Sequence, residues 1–340
     1  MTIINIRDGL GNQMFQYAFA KVLESKGESV VLDTSWYSEE PDSVSKNIAN
    51  KKNIRNLEIT RFDIKIVPYM EIETMLQTQD KFYHFFSFIH KLIAYAPKEC
   101  LRVGLKSFLP KTRRFHPYKY HIKEVYDSRD LSALPHDILK NALIFGFFQK
   151  LSYFKHIDSE IRADFTLCTP LSPANEAMKK RILSTPNAAF IHIRRGDYLN
   201  VWQVIKLGKA YYASAIKEIL THVKNPKFFI FSNDIEWCKN NFINLIDSSV
   251  FAGKEYEFVE QNGEGDAIEE LELMRSCKHG IIANSTFSWW AAYLMENPKK
   301  TVIAPSKFFL IPPPQEPNHI DDILPEGWIK TDPTWGNVES

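Results

Sequence analysis

His192, Arg194, Arg195 and Asp197 crowd the end of one apolar run, FIHIRRGDY at residues 190–198. Successive side chains of a strand point to opposite faces, so His192 and Arg194 share one face and Arg195 takes the other. An imidazole and a guanidinium side by side at a strand end make a good grip for a phosphoryl group. A strand capped by surface charges has the same composition, so this run alone does not decide. Two more stretches carry the same chemistry. Asn284-Ser285-Thr286-Phe287-Ser288, followed by Trp289-Trp290, is a hydroxyl-rich loop opening an apolar helix, and hydroxyls with free N–H groups suit phosphate oxygens. Near the N-terminus, Asp8-Gly9-Leu10-Gly11-Asn12-Gln13 joins a short strand to a helix. Gly9 and Gly11 let a backbone approach a ligand closely, and the amides of Asn12 and Gln13 stand at that mouth. Read blandly, the first loop is a Ser/Thr cap over a buried tryptophan pair and the second a helix cap supplied by Asn12.

These residues need strands that end on one side of a sheet. The second half of the chain repeats one grammar three times, an apolar strand with a polar cluster at its carboxyl end. Residues 188–193 lead into Arg194, residues 228–231 into Ser232-Asn233-Asp234, and residues 280–283 into Asn284. Helical patterns at 211–223 and 267–278 lie between them. Alternating strands and helices predict a parallel, doubly wound sheet, where ligands sit beyond the carboxyl ends of the strands. The first half opens as strand 3–7, helix 13–26 and strand 29–33, with Gly27 as the stop. Residues 142–148 read as a buried strand and 149–165 as a helical mixture. Residues 38–53 read as a polar loop, and the tail after Pro312-Pro313-Pro314 carries no pattern. Pro170, Pro173 and Pro186 punctuate a polar segment, so the domain change is set near 150–185, giving domains 1–165 and 166–340.

The glycine turn invites a dinucleotide-binding reading, and Asp33 stands where a ribose-binding acid would be. Met14 occupies the position of the third glycine, which argues against NAD. With 42 basic and 41 acidic residues the chain has no whole-molecule footprint for nucleic acid. Cys100, Cys168, Cys238 and Cys277 are widely spaced, which argues against structural zinc and a disulfide scaffold and fits a reducing compartment. No signal-peptide pattern is present, and the apolar window 82–96 is too short to span a bilayer. A cytoplasmic protein is expected, with peripheral membrane contact through that window or the basic, aromatic stretch 98–120 as a sharper alternative to solvated surface. No D-x-D pair or metal-ligand cluster occurs, so the charge of a departing diphosphate would fall to Arg194, His192 and backbone donors. Nothing fits a hydrolase triad or P-loop. Glu269 and Glu270 lie on the helix before the hydroxyl loop; a carboxylate can accept both N1–H and the N2 amine of guanine, although most helix glutamates are simply solvated.

GLGNQMFQYAFA (9–20), HIRRGDY (192–198), FSND (231–234) and CKHGIIANSTFSWWAAYL (277–294) resemble bacterial α-1,2-fucosyltransferases, in order and across the whole chain. The resemblance implies a GT-B-like α/β architecture, two Rossmann-like domains facing an interdomain cleft. It implies GDP-β-L-fucose as donor, no metal, no other cofactor, and inverting transfer to the 2-hydroxyl of a galactose-terminated glycan. Arg194 would contact the β-phosphate beside His192, and Asn12 would face the same phosphate and the acceptor. Ser285, Thr286 and Phe287 would cradle the diphosphate, with Gly9, Gly11, Ser232, Asn233 and Asn284 completing the donor site. Glu270 would read guanine where relatives commonly have Asp, and Asp8 stands where many have Gly. The related α-1,6 enzymes carry a glutamate five residues after the motif aspartate; here that position is Trp202. Asp197 and Asp8 are the candidate bases, unless leaving-group departure runs so far ahead of attack that none is needed. The competing readings are a fucosyltransferase of another linkage and a nucleotide-binding module without catalysis.

Overall fold

The computed structural model describes residues 2–37, 56–64, 123–126, 142–243, 246, 248–251, 253–262, 266–310 and 320–333. The window 82–96, the stretch 98–120, the loop 38–53, Cys100 and the triple proline lie outside them.

Strand β1 (Thr2–Asn5) is fully buried and leads through the glycine turn into the helix Leu10–Ser25, which returns the chain to β2 (Val30–Asp33). With β3 (Lys123–Tyr126) and β4 (Ala142–Phe145) these form a parallel sheet in the order β2-β1-β4-β3. The chain then passes through helical residues 151–184 to a second parallel sheet. That sheet holds β5 (Ala188–Ile193), β6 (Lys227–Ser232), β7 (Glu255–Phe258), β8 (His279–Ile281), β9 (Val302–Pro305) and β10 (Ile329–Thr331). Read from β7, its order is third, second, first, fourth, fifth, sixth strand of this half. This is the doubly wound order, in which the chain reverses direction between β5 and β8 and leaves a crevice at their carboxyl ends. The α/β class and the parallel sheets agree with the sequence patterns.

Alternation along β5 sorts the core into two faces. Ala189, Ile191 and Ile193 join the cluster that includes Tyr211, Tyr212 and Phe228. Ala188 and Phe190 join the other, which runs without a break into the first half of the chain. The tryptophan pair makes that join: the Phe15 ring lies 4.8 Å from Trp289 and 4.9 Å from Trp290, and Phe154 stacks on Trp290 at 5.4 Å. Trp290 Nε1 donates to the carbonyl of Gly11 at 3.1 Å. Both tryptophans are wholly buried, so the pair is a cross-molecule anchor as well as the floor beneath a helix cap.

Several elements depart from the patterns. The first helix starts at Leu10 with Gly9 as a cap that makes no side-chain bond, so Asn12 lies inside the first turn and does not cap. The mixture at 149–165 is two short helices, Leu151–Phe154 and Asp158–Asp164, around a 3₁₀ turn. Pro173 opens a helix, Pro173–Ser184, because a proline at the first position lacks only an N–H that would be unbonded anyway, and Ser172 caps it. β7 and β10 escaped the sequence reading because edge strands of three or four half-exposed residues carry too little alternation.

Asp8 has φ 67°, in the left-handed region. Its carbonyl accepts from Gln13 Nε2 at 2.9 Å and from the Tyr37 hydroxyl at 2.6 Å, which hold the turn in place. Only glycine adopts this conformation without cost, so the position is one that glycine would suit. Asp8→Gly is expected to keep stability within about 1 kcal/mol and Asp8→Val to lose about 1–2 kcal/mol, measured by urea unfolding. Retained turnover in Asp8→Gly also removes Asp8 from the candidate bases.

Candidate active site

The end of β5 follows strand parity. Burial, with the Arg194 charge beside it, pushes the His192 imidazole down to about 3. His192 is therefore neutral at physiological pH and offers a hydrogen bond in place of a second positive charge. Its Nδ1 is buried with no hydrogen-bond partner among the described residues, and its ring meets Phe287 edge-on at 5.7 Å. The Arg194 guanidinium lies 5.1 Å over the Tyr198 ring, and its charge reaches both His192 and Glu270. Arg195 turns the other way. It lies 3.4 Å over the Trp237 ring and donates from Nε to Asp234 at 3.3 Å, on the side of Ile191 and Ile193. Gly196 then bends the chain at φ 38°, with Asn233 packed where a Cβ would stand. Asn233 Oδ1 accepts the Arg195 N–H at 3.0 Å, and Ser232 Oγ accepts the Asp234 N–H at 3.0 Å. The Ser232 and Asn233 side chains thus hold the bend. Asp197 sits in the 3₁₀ turn Gly196–Asn200, and its side chain lies outside the described residues.

Across the switch point, β8 runs into the helix Thr286–Leu294. Ser285 caps that helix, accepting from the Phe287 N–H at 3.4 Å. Asn284 is spent on structure: its amide donates to the carbonyls of Ile205 and Phe308, each at 2.9 Å. The first half of the chain docks directly on this loop. A Cβ on Gly11 would stand 2.6 Å from Phe287 N and from the Thr286 carbonyl carbon, so only glycine permits the contact. Asn12 Oδ1 accepts from Thr286 Oγ1 and from Gln149 Nε2, both at 3.1 Å. Two donors on that oxygen fix the amide, which presents its NH₂ as the remaining donor edge. Asn12, Thr286, Phe287, His192 and Arg194 are therefore one connected group. Gly9, by contrast, has open space around a notional Cβ and an ordinary φ of −73°.

The two glutamates separate clearly. Glu269 accepts from Ser172 N at 3.0 Å, Ser172 Oγ at 2.7 Å, Asn175, and Arg61 Nη2 at 3.2 Å. Burial alone would raise its pKa, but these donors outweigh it and hold the carboxyl below its usual range. Among the described residues Glu270 has no such cage. Burial of its carboxylate pushes it up to about 7, with Arg194 opposing and Glu58 adding to the rise.

Gln13, read only as an amide at the mouth, is a fully buried hub. It donates to the carbonyls of Asp8 and Asn56 and accepts the N–H groups of Glu58 and Ile59. Gln16, unremarked in the sequence, links Arg7 N to the Gly146 carbonyl in the same way. Their signal was a polar residue inside an otherwise buried helix. Asp33 is bonded to Asn5 at 3.0 Å inside the sheet, which removes it as a ribose-binding acid. Trp202 is 66% exposed. Among the described residues, no three His, Cys, Asp or Glu side chains gather as metal ligands, and no helix is long and apolar enough to cross a membrane.

The model of "Glycosyl transferase family 11" matches residues 1–329. The alpha-1,2-colitosyltransferase of Escherichia coli is 28% identical over 337 residues, covering 97% of this chain and 98% of that protein. The E. coli O-antigen biosynthesis glycosyltransferase WbnK is 30% identical over 324 residues, with 88% and 92% covered. The mouse galactoside alpha-(1,2)-fucosyltransferase 1 is 29% identical over 204 residues, 57% of this chain and 51% of the mouse protein. A match over nearly the whole length, on a chain whose phosphate-binding residue types meet at a switch point, makes this protein a member of glycosyl transferase family 11, close to the α-1,2-fucosyl- and colitosyltransferases.

Proposed function

We propose that the protein transfers L-fucose from GDP-β-L-fucose to the 2-hydroxyl of a galactose in a glycan, with inversion and without a metal. The observation that carries this reading is the connected group at the switch point: Arg194 and His192 from one strand end, Thr286 and Phe287 from the next, and Asn12 bonded to Thr286 from the first sheet. Bond breaking at the fucose anomeric carbon sends negative charge onto the β-phosphate. A fixed guanidinium meets that charge without reorganising, and a neutral imidazole N–H and the helix N-terminus add hydrogen bonds. The amide edge of Asn12 suits either a phosphate oxygen or the incoming hydroxyl, so closing the two halves aligns donor and acceptor. Glu270, the acid left uncaged, reads guanine. No carboxylate stands at position 202, and the base falls to Asp8 or Asp197 if one is needed.

The colitosyltransferase relative favours a second reading, the same linkage with a different deoxy sugar on the nucleotide. Incubation in EDTA with lactose and either GDP-fucose or the colitosyl donor tests both. Release of GDP with a 2-linked fucosyl-lactose supports the first reading, and turnover confined to the colitosyl donor supports the second. Binding without turnover of either sugar would make the protein a nucleotide-binding module, and activity lost in EDTA but restored by a divalent ion would overturn metal independence.

A further inference from the structure

Glu58 has no part in the chemistry above, yet it is built into the helix that carries Glu270. That helix, Ala267–Arg275, follows Asp266, whose side chain makes no capping bond. The cap comes instead from the other half of the chain: Glu58 Oε1 accepts the N–H of Ala267 at 3.1 Å. Ala267 lies three residues before Glu270, on the same helix face. Glu58 is itself fixed, because Gln13 Oε1 accepts its backbone N–H at 3.1 Å and that of Ile59 at 3.0 Å. Three residues on, Arg61 pairs with Glu269 at 3.2 Å, and its carbonyl accepts from Cys168 N at 2.8 Å. The turn holding Asn12 and the helix holding Glu270 are thus joined through one short segment.

We infer that Glu58, held by Gln13, is a strut that sets the position of Glu270 and with it the choice of nucleobase. Glu58 is then a positioning residue, and the inference rests on the reading of Glu270 as the guanine-binding acid. Its charge has a second consequence. Two charged groups from other elements act on Glu270, Arg194 from the end of β5 and Glu58 from this segment, while Glu269 on its own helix is turned to Arg61, Ser172 and Asn175. Guanine needs the ionised carboxylate, so binding below the Glu270 pKa of about 7 must first expel a proton. GDP affinity is therefore constant above that pH and falls about tenfold per unit below it.

Titrating the full-length protein with GDP, IDP (which lacks the N2 amine) and ADP across pH 5.5 to about 8.5 tests the strut. Glu58→Ala removes both acceptor and charge; it is expected to weaken GDP roughly tenfold and to shrink the GDP-to-IDP preference. Glu58→Gln keeps a carbonyl acceptor for Ala267 and is expected to retain the preference while moving the pH break below that of the parent. A Glu58→Ala protein with the parent's nucleobase preference and pH break would overturn the strut, even if it melted at a lower temperature. Glu270→Gln separates the two layers. If that variant alone loses guanine preference, Glu58 is only a structural cap; if it keeps the preference, the assignment of Glu270 fails and the strut with it.

Discussion

Arg194→Ala is expected to lower kcat by about 10²–10³-fold with little change in melting temperature, and Arg195→Ala by less than about tenfold. The two arginines are adjacent in sequence, yet strand alternation puts them on opposite faces of the second sheet. Arg194 faces His192, Glu270 and the Tyr198 ring; Arg195 lies over Trp237 and pairs with Asp234. Because buried His192 stays neutral, Arg194 supplies the positive charge on this face, and in the proposed transfer its removal would leave a departing diphosphate with hydrogen bonds alone. Arg195 contributes a half-exposed ion pair and a ring contact worth about 1 kcal/mol together, felt in stability more than in rate. Steady-state kinetics of both variants, with thermal melts alongside, check the pair. Equal losses of turnover would sink the parity argument. Because His192 is neutral, changing pH between 6 and about 8 should leave its contribution unchanged.

Gly11→Ala is expected to be the more damaging of two single-methyl insertions two residues apart, with Gly9→Ala as the control. At Gly11 the new methyl would stand 2.6 Å from the Thr286–Phe287 backbone, where ordinary contact begins near 3.4 Å. Backbone cannot swing aside as a side chain can, so the first half must back away from the hydroxyl loop. That movement stretches the Asn12–Thr286 bond and the Trp290–Gly11 bond. The expected result is a loss of about 1–3 kcal/mol in urea unfolding and about 10²-fold in kcat. At Gly9 nothing lies within 4 Å, and alanine should leave both quantities near the parent values. If the two variants behaved alike, the contact between the halves would have no bearing on catalysis.

Much of this site could be read in the chain because its residues stand at the ends of strongly patterned strands. Phe190 to Arg195 alternate in the sequence as they alternate in the sheet, and the hydroxyl loop opens a helix whose apolar run is unmistakable. Isolated residues carry less. Pro173 reads as punctuation in the sequence and starts a helix in the structure. The bland reading of Asn12 as a helix cap does not apply, because the helix starts at Leu10 and Gly9 stands at the cap. The resemblance assigns Asn284, Ser232 and Asn233 to the donor site, and in the structure their side chains bond to nearby backbone.

The α/β class, the two faces of the Arg194–Arg195 pair and the glycine turn are legible in the chain because each depends on neighbours a few positions apart, and the family is legible because its motifs are themselves short local runs. The neutrality of His192, the cage around Glu269, the hub at Gln13 and the cap that Glu58 gives a helix of the other half emerge only once the chain is folded. Burial and bonding between residues as far apart as Asn12 and Thr286, 274 positions along the chain, produce those properties. Local pattern carries no record of which distant group will stand beside a charge, and the nearest charge and the loss of water are what set its chemistry.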